Sequence, residues 1–373
     1  MLWIGLFILI TILIISMQWF FGISKLPMLK NYSPEENSFP SVSIVVAAKN
    51  EEKRIKEAVI SMLNLDYPNL EVVVVNDRSD DATLDLLLRL QKEHPQSSRL
   101  MVHTVTSLPD GWLGKNHALQ TGADLSSGSW ILFTDADIIF DSSALSRAVS
   151  LIRKEKLDHL ALVPDNEGGT SAYRAFHNYW SILGMWNFIQ LKHAGIGAFN
   201  FINRKVYISA GEHRSLRTDP DDDLKLGKRI VNQGFRQKLG FGKDLVYVQW
   251  YENIPQVVNG LEKNLFAFMR YSIFASIFFS ALIFMLHVFP FAALFFTQAS
   301  VFFIFFLIIA LYTGMYAYNQ RFTGENPILI LTMPFCALLF IFCLLRSMFM
   351  TLKRGGVVWR GTLYPLKELR KKK

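Results

Sequence analysis

The sequence predicts an α/β domain with a mainly parallel sheet, joined to N-terminal and C-terminal transmembrane helices. Three observations carry this. Short β-branched runs alternate with helical patterns between residues 42 and 135. No charged side chain precedes Lys25. Between Tyr271 and Met350 only Arg321, Glu325 and Arg346 are charged. With 51% hydrophobic and 19% charged residues the chain is too apolar to be disordered. With 373 residues and two cysteines it is not a small disulfide-stapled domain.

Leu2 to Gly22 is an uninterrupted apolar run closing on Trp19, Phe20 and Phe21. About 20 such residues span a bilayer. The run lacks the basic start and small-residue cleavage site of a secretory signal. Residues 1–24 are therefore read as an uncleaved anchor, with Lys25 and Lys30 on the cytosolic side. Val42 to Ala47 (VSIVVA) forms a first strand, and Ile55, Val59, Met62 and Leu63 mark the helix after it. Glu71 to Val75 (EVVVV) is a second strand, ending at Asn76-Asp77. Asp81 suits the cap of a helix through Leu84, Leu87, Leu88 and Leu90. Leu100 to Val105 is a third strand, His117 to Leu125 a helix, and Trp130 to Phe133 a fourth strand running into Asp135-Ala-Asp137. Such alternation predicts a sheet covered on both faces, with ligands at the carboxyl ends of its strands. Asn50-Glu51, Asn76-Asp77 and Asp135-Ala-Asp137 all fall on that edge.

Beyond the body, Tyr271 to Asn319 is long enough for two passes, with breaks expected near His287–Pro290 or Thr297–Ser300. A third run, Ile328 to Met350, contains Pro334. Lys353 to Lys373 carries eight Lys/Arg and one Glu, while residues 25–270 hold 29 basic and 29 acidic side chains. The net charge of +8 is thus almost wholly a property of the tail. A neutral body excludes a nucleic-acid platform. A basic tail after apolar segments reads as an anchor on an anionic cytosolic leaflet. Body and tail on one side require an even number of crossings between them. One of the three runs is therefore expected to turn back or lie at the interface, with Pro290 and Pro334 as the candidate breaks. The expected divisions are an anchor (1–24), a catalytic domain (40–250), an interfacial amphipathic segment (251–270), membrane segments (271–350) and a basic cytosolic tail (351–373). Cys336 and Cys343 share a helix face two turns apart, too far for a disulfide, and are expected as buried small residues.

There is no GxGxxG after the first strand and no GxxxxGK[ST], so neither a dinucleotide fingerprint nor a P-loop is present. Diphosphate charge must be met another way. Two aspartates one residue apart at a strand end, holding Mg2+ or Mn2+, are the evident device.

The ordered segments SIVVAAKNEE, VVVVNDRSDDAT, GWLGKNHALQTGA, ILFTDADIIF, GAFNFINRKVYISAGEH and DDDLKLGKRI resemble glycosyltransferase family 2, over roughly Ser41 to Phe268. The resemblance implies a GT-A fold, a nucleotide-sugar donor and inversion at the anomeric carbon. The flanking architecture resembles membrane-bound bacterial members that glycosylate lipids, among them diaponeurosporenoate glycosyltransferases and, more distantly, ceramide glucosyltransferases. GVVWRGTLY resembles a W-R/K-G-x-x-Y element that follows their last hydrophobic segment.

By position, the resemblance implies that Ala48 and Glu51 line the nucleoside pocket and Asp77 accepts from the base, uracil by default. It implies that Lys115 contacts the diphosphate, Asp135 the ribose and metal, and Asp137 the metal directly. Asp223 matches the catalytic base of the family's acidic pair, since Leu224-Lys-Leu-Gly227 follows it at the family spacing. Asp222, His213 and Lys263 are assigned to the acceptor side or to closing the site. Phe176, Tyr179, Trp180, Trp186 and Phe188 suit a core or a membrane interface. The QxxRW motif of processive members is missing, which favours one transfer to a lipid over a polysaccharide synthase. A third reading, a scaffold built on an inactive domain, is disfavoured by the intact Asp77, Asp135, Asp137 and Asp223.

Overall fold

The computed structural model describes residues 1–34, 39–359 and 362–371. It divides into two compact units. One comprises Met1–Ser24, Gly168–Asn187 and Trp250–Lys373, the other Lys25–Glu167 and Phe188–Gln249.

The second unit is built on strands β1 (Val42–Ala48), β2 (Leu70–Asp77), β3 (Leu100–Val105), β4 (Trp130–Asp135), β5 (Ile139–Phe140), β6 (His159–Val163), β7 (Asp165–Asn166), β8 (Asn200–Asn203), β9 (Gln237–Phe241) and β10 (Val246–Val248). Seven of them form one sheet in the order β3-β2-β1-β4-β8-β6-β9, and β5, β10 and β7 form a small second sheet. The pairs β1–β2, β1–β4, β2–β3 and β6–β9 are parallel, whereas β8 runs antiparallel to both its neighbours.

Continuous apolar strands are what a doubly covered sheet requires. Ile44 and Val46 enter a core with Ile55, Val59, Met62 and Leu145, while Val45 faces the other way onto Leu119, Phe133, Leu226 and Ile230. The helices are α2 (Ile55–Leu63), α3 (Thr83–Glu93), α4 (Gly114–Leu125), α5 (Ala144–Lys154), α7 (Arg204–Ser209) and α8 (Asp222–Asn232), with α1 and α6 in the other unit. Asp81 accepts the Thr83 N–H at 3.0 Å, so it caps the start of α3 from just outside the helix.

The first unit is helical: α1 (Leu2–Ile23), α6 (Ser171–Leu191, whose last residues pass into the second unit), α9 (Ile254–Glu262), α10 (Leu265–Phe268), α11 (Ile273–Ile283), α12 (Phe289–Ala293), α13 (Ala299–Thr323) and α14 (Met333–Arg354). Among the described residues four helical stretches are long and apolar enough to cross a membrane: Leu2–Ile23, Ile273–Ala293, Val301–Thr323 and Pro327–Arg354. Trp19 is fully buried, and it and Phe20 meet Tyr318 edge-on at 6.0 and 5.5 Å. Asn319 donates to Asn178 Oδ1 (2.7 Å) and Ser181 Oγ (2.8 Å), tying α13 to α6. Arg174 grips Glu325 through two hydrogen bonds of 2.8 and 3.0 Å. These bonds explain why Gly168–Asn187 clusters with the apolar helices although it lies inside the 40–250 range expected of a single domain.

Of the two alternative breaks in residues 271–319, the one near Thr297–Ser300 leaves the chain non-helical, and the one at His287–Pro290 is only a change of winding inside the stretch Ile273–Ala293. A π-helical turn, Phe284–Val288, separates α11 from α12 at His287–Pro290, and the chain leaves helix between Ala293 and Ala299. Pro290 and Pro334 lie alike, each at the second residue of an α-helix that follows a π or 3₁₀ turn, where the missing N–H costs nothing. Cys336 and Cys343 are free and buried.

The expected interfacial segment folds as α9 and α10, and Val257, Leu261 and Phe266 are buried. Glu262 bridges Arg346 (2.9 Å) and Arg354 (2.7 Å), and Ser347 accepts the Phe266 N–H (3.0 Å). Glu262→Gln is expected to lower the melting temperature of the full chain in detergent, because it leaves two arginines without their shared anion. The tail forms a hairpin and a short helix whose Arg370 donates to Tyr271 O (2.9 Å). Arg360 and Gly361 of the W-R/K-G-x-x-Y element lie outside the described residues.

Candidate active site

Strand register sets the site. Ala48 pairs with Asn76 and Ala47 with Asp135, so the ends of β1, β2 and β4 lie level. The loops after β1 and β2 are stitched by backbone donors. Asn50 N–H donates to Ser79 Oγ (3.1 Å), Glu51 N–H to Thr83 Oγ1 (2.8 Å) and Asp80 N–H to Asn50 Oδ1 (3.0 Å). Asn50 and Arg78 both take the left-handed conformation, with φ of 56°. This turns each chain sharply at its strand end. Ala48 and Asp77 are buried, and Glu51 is half-buried.

The Asp77 carboxylate is held by the Arg78 guanidinium at 2.8 and 3.1 Å. Sequence reasoning missed Arg78, whose one available signal was its place beside Asp77 at a strand end.

Helix α4 delivers Lys115, whose Nζ lies 2.7 Å from Asp135 Oδ1. Burial opposes the Lys115 charge, but the carboxylates of Asp135, Asp222 and Asp223 outweigh it and hold the ammonium above its ordinary pKa. Asp137 shows the opposite strain. Burial and the adjacent Asp135 charge raise its carboxyl, against weaker relief from Arg54 and Lys115. Arg54, a second residue the motifs did not single out, also donates to Gln249. Gly197 backs this cluster. A Cβ there would fall 2.7 Å from Asp135 Oδ2 and 3.3 Å from Lys115 Nζ.

Helix α8 brings up the acidic run. Asn116 on α4, fully buried, donates to the carbonyls of Leu216 and Asp219 and so fixes the approach to Asp221–Asp223. Asp222 is buried and paired with His213 Nε2 at 3.3 Å. Asp223 Oδ1 accepts the Leu224 N–H at 2.7 Å. Burial, then the Asp222 charge, raise the Asp223 carboxyl to about 7, with Lys115 pulling against them. The Asp222 carboxyl stays below its ordinary pKa despite burial, through Lys115 and His213.

Behind α8, Gln237 accepts the Ala194 N–H (2.7 Å) and donates to Gly227 O (3.1 Å) and His159 Nδ1 (2.6 Å). This seats Gly195 directly on α8, where a Cβ would fall 1.9 Å from Asp223 O. Gly195→Ala is expected to push α8 away, at a cost of about 1–3 kcal/mol in stability. Thermal melting of the full chain checks it, and transfer activity should fall with it.

Lys115, Asp135, Asp137, Asp222, Asp223 and His213 thus form one linked group, with Ala48, Glu51 and Asp77 on the neighbouring strand ends. Lys263 belongs to the other unit and follows α9 in an exposed position. Among the described residues no group of three or more His, Cys, Asp or Glu is arranged to hold a metal.

Residues 43–224 match the family model described as Glycosyl transferase family 2. The chain carries a family 2 glycosyltransferase domain. That match takes in every residue of the linked group and leaves Lys263 outside. A beta-monoglucosyldiacylglycerol synthase of Trichormus variabilis is 35% identical over 154 residues, 39% of this chain and 32% of that protein. A 4,4'-diaponeurosporenoate glycosyltransferase of Staphylococcus aureus is 25% identical over 236 residues, 60% of each chain. The chain thus spans between about a third and three-fifths of the length of these curated relatives. Among solved structures, the mannosyltransferase PcManGT from Pyrobaculum calidifontis, in complex with GDP-Man and Mn2+, superposes with a TM-score of 0.57. It covers 94% of this chain and 98% of its own at 17% identity, a likeness of fold. The fold of this family 2 domain is GT-A.

Proposed function

We propose that this protein transfers a sugar, with inversion, from a nucleotide-sugar donor to a hydroxyl or carboxyl group of a membrane lipid. The observation that carries the reading is one linked group holding an acidic pair at a strand end, a lysine and a carboxyl near neutrality, in a chain with four membrane-length apolar helices. Relatives named for diacylglycerol and carotenoid substrates support a lipid acceptor.

Asp135 and Asp137 suit a divalent cation, Mg2+ or Mn2+. Burial and then the Asp135 charge raise the Asp137 carboxyl, and a cation would offset both. Such ions bind through one or two carboxylates and complete their shell with phosphate oxygens and water. When bound, the ion would neutralise charge on the departing diphosphate. Lys115, paired with Asp135, would add a positive charge towards the same leaving group. Asp77, oriented by Arg78, would accept from the base, with UDP the expected carrier. Asp223 would take the proton of the acceptor hydroxyl as it attacks.

A base near pKa 7 makes the rate pH-dependent. Asp223 accepts a proton only when ionised, so kcat should fall about tenfold per pH unit below about 7 and level off above it. A kcat–pH profile checks this.

The body and tail would both face the cytosol, where nucleotide sugars are made. Of the three runs after the body, Ile273–Ala293, which contains a π-turn, would be the one to turn back. A C-terminal reporter fusion that is active outside the cell would overturn this topology. The function itself is tested by incubating membranes with labelled nucleotide sugars and weighing the extracted lipids. One or two sugars per lipid support it, and long chains favour a synthase.

A further inference from the structure

Two adjacent aspartates begin α8, and the proposed mechanism uses only one as base. Something must decide which. Behind Asp222 runs a buried chain of polar side chains. Tyr207 on α7 and His213 on the following 3₁₀ turn are each 1% exposed, and both rings pack on Phe133, at 5.0 and 4.7 Å. The His213 backbone N–H donates to Tyr207 Oη at 3.1 Å, and that oxygen lies 2.8 Å from His213 Nδ1. Tyr207 has one proton. Its other neighbour, Gln120 Oε1, is 3.5 Å away and already accepts the Arg214 N–H at 2.9 Å. At 2.8 Å Nδ1 is the better-placed acceptor of the hydroxyl proton, and that assignment leaves the ring proton on Nε2, 3.3 Å from Asp222 Oδ2.

A buried carboxylate is costly unless it is paired and hydrogen-bonded. Asp222 has both aids, the His213 Nε2–H and the charge of Lys115. The Asp223 side chain has one backbone donor, Leu224, and two anionic neighbours, Asp222 and Asp135, against Lys115. Lys225, one turn on, is engaged by Asp219 and Asp221. We propose that His213 is a positioning residue: held by Tyr207, its Nε2–H keeps Asp222 a permanent anion and so assigns proton acceptance to Asp223. This replaces the acceptor-side role expected of His213 and Asp222, which their burial leaves no surface to perform. It rests on the reading of Asp223 as base.

The test follows carboxyl protonation directly, by infrared spectroscopy of the C=O stretch on the full chain in detergent, from about pH 5 to 9. The carboxyl titrating near neutrality should vanish in Asp223→Asn. In His213→Phe, which keeps the packing on Phe133 but donates nothing, Asp222 competes for the proton. The midpoint should rise by about half a pH unit or more and the transition broaden. His213→Gln, which restores an N–H donor, should return it towards the starting value. Asp222→Asn removes the neighbouring charge and should lower it. Tyr207→Phe frees the tautomer and should raise it, which gives the same reading if His213→Phe does not fold. An unmoved midpoint in the Phe variants, an equal shift in both His213 variants, or a titrating carboxyl that survives in Asp223→Asn would overturn the proposal. Transfer activity is scored separately. If Asp223→Asn still transfers sugar, the base reading fails while the titration result stands.

Discussion

Asp223→Asn is expected to reduce lipid glycosylation by about 10²–10⁴-fold, the range lost when a positioned base is removed. Donor affinity should stay within about threefold, because a neutral side chain there leaves the Asp135–Lys115 pair and the Asp77–Arg78 pair in place. The amide is nearly isosteric and its oxygen can still accept the Leu224 N–H, so α8 keeps its start. The informative comparison is kcat against donor Kd, from steady-state transfer and calorimetric titration. A variant that keeps full kcat would remove Asp223 from the chemistry. One that loses donor binding in step with kcat would make its role structural.

Asp137→Asn is the second large effect. Activity should fall by about 10²-fold or more, and donor affinity should lose its dependence on added Mg2+ or Mn2+. Chelation of the unmodified protein with EDTA should give the same phenotype, reversed by returning the ion. The companion result has the opposite sign. The Asp137 carboxyl is raised in the folded protein by burial and the Asp135 charge, so holding it ionised costs the fold stability. Removing that charge should leave the melting temperature in EDTA unchanged or higher. A side chain kept for folding would show the reverse. Loss of activity with no loss of stability marks a group strained for function.

Much of the first half of the catalytic unit was legible from the chain. The runs 42–47, 71–75, 100–105 and 130–133 are rich in β-branched, aromatic or aliphatic residues, and each became a strand with ends moved by at most a few residues. Asp77, Asp135 and Asp137 were conspicuous because polar residues ended apolar runs. Later strands were harder to see. Antiparallel β8 is four residues long, inserted between β4 and β6, and sequence spacing does not announce that insertion. That residues 168–187 group with the apolar helices was hidden for a similar reason. Helix α6 has an apolar composition that suits either unit, and its bonds through Asn178 and Arg174 place it with the apolar helices.

Local pattern by itself determined the alternation of strand and helix, the edge where the carboxylates gather, and the confinement of the net positive charge to the tail. These are readable because period and polarity are properties of neighbouring residues. Tertiary structure alone decided which carboxylates differ. Asp222 and Asp223 are identical in type and adjacent in sequence. Lys115 acts on both; what separates them is that His213 reaches Asp222 alone, while Gly195 lets a second backbone press on Asp223. A carboxyl's affinity for its proton depends on burial and on charges a few ångströms away, and those neighbours come from 9 to 108 positions distant in the chain.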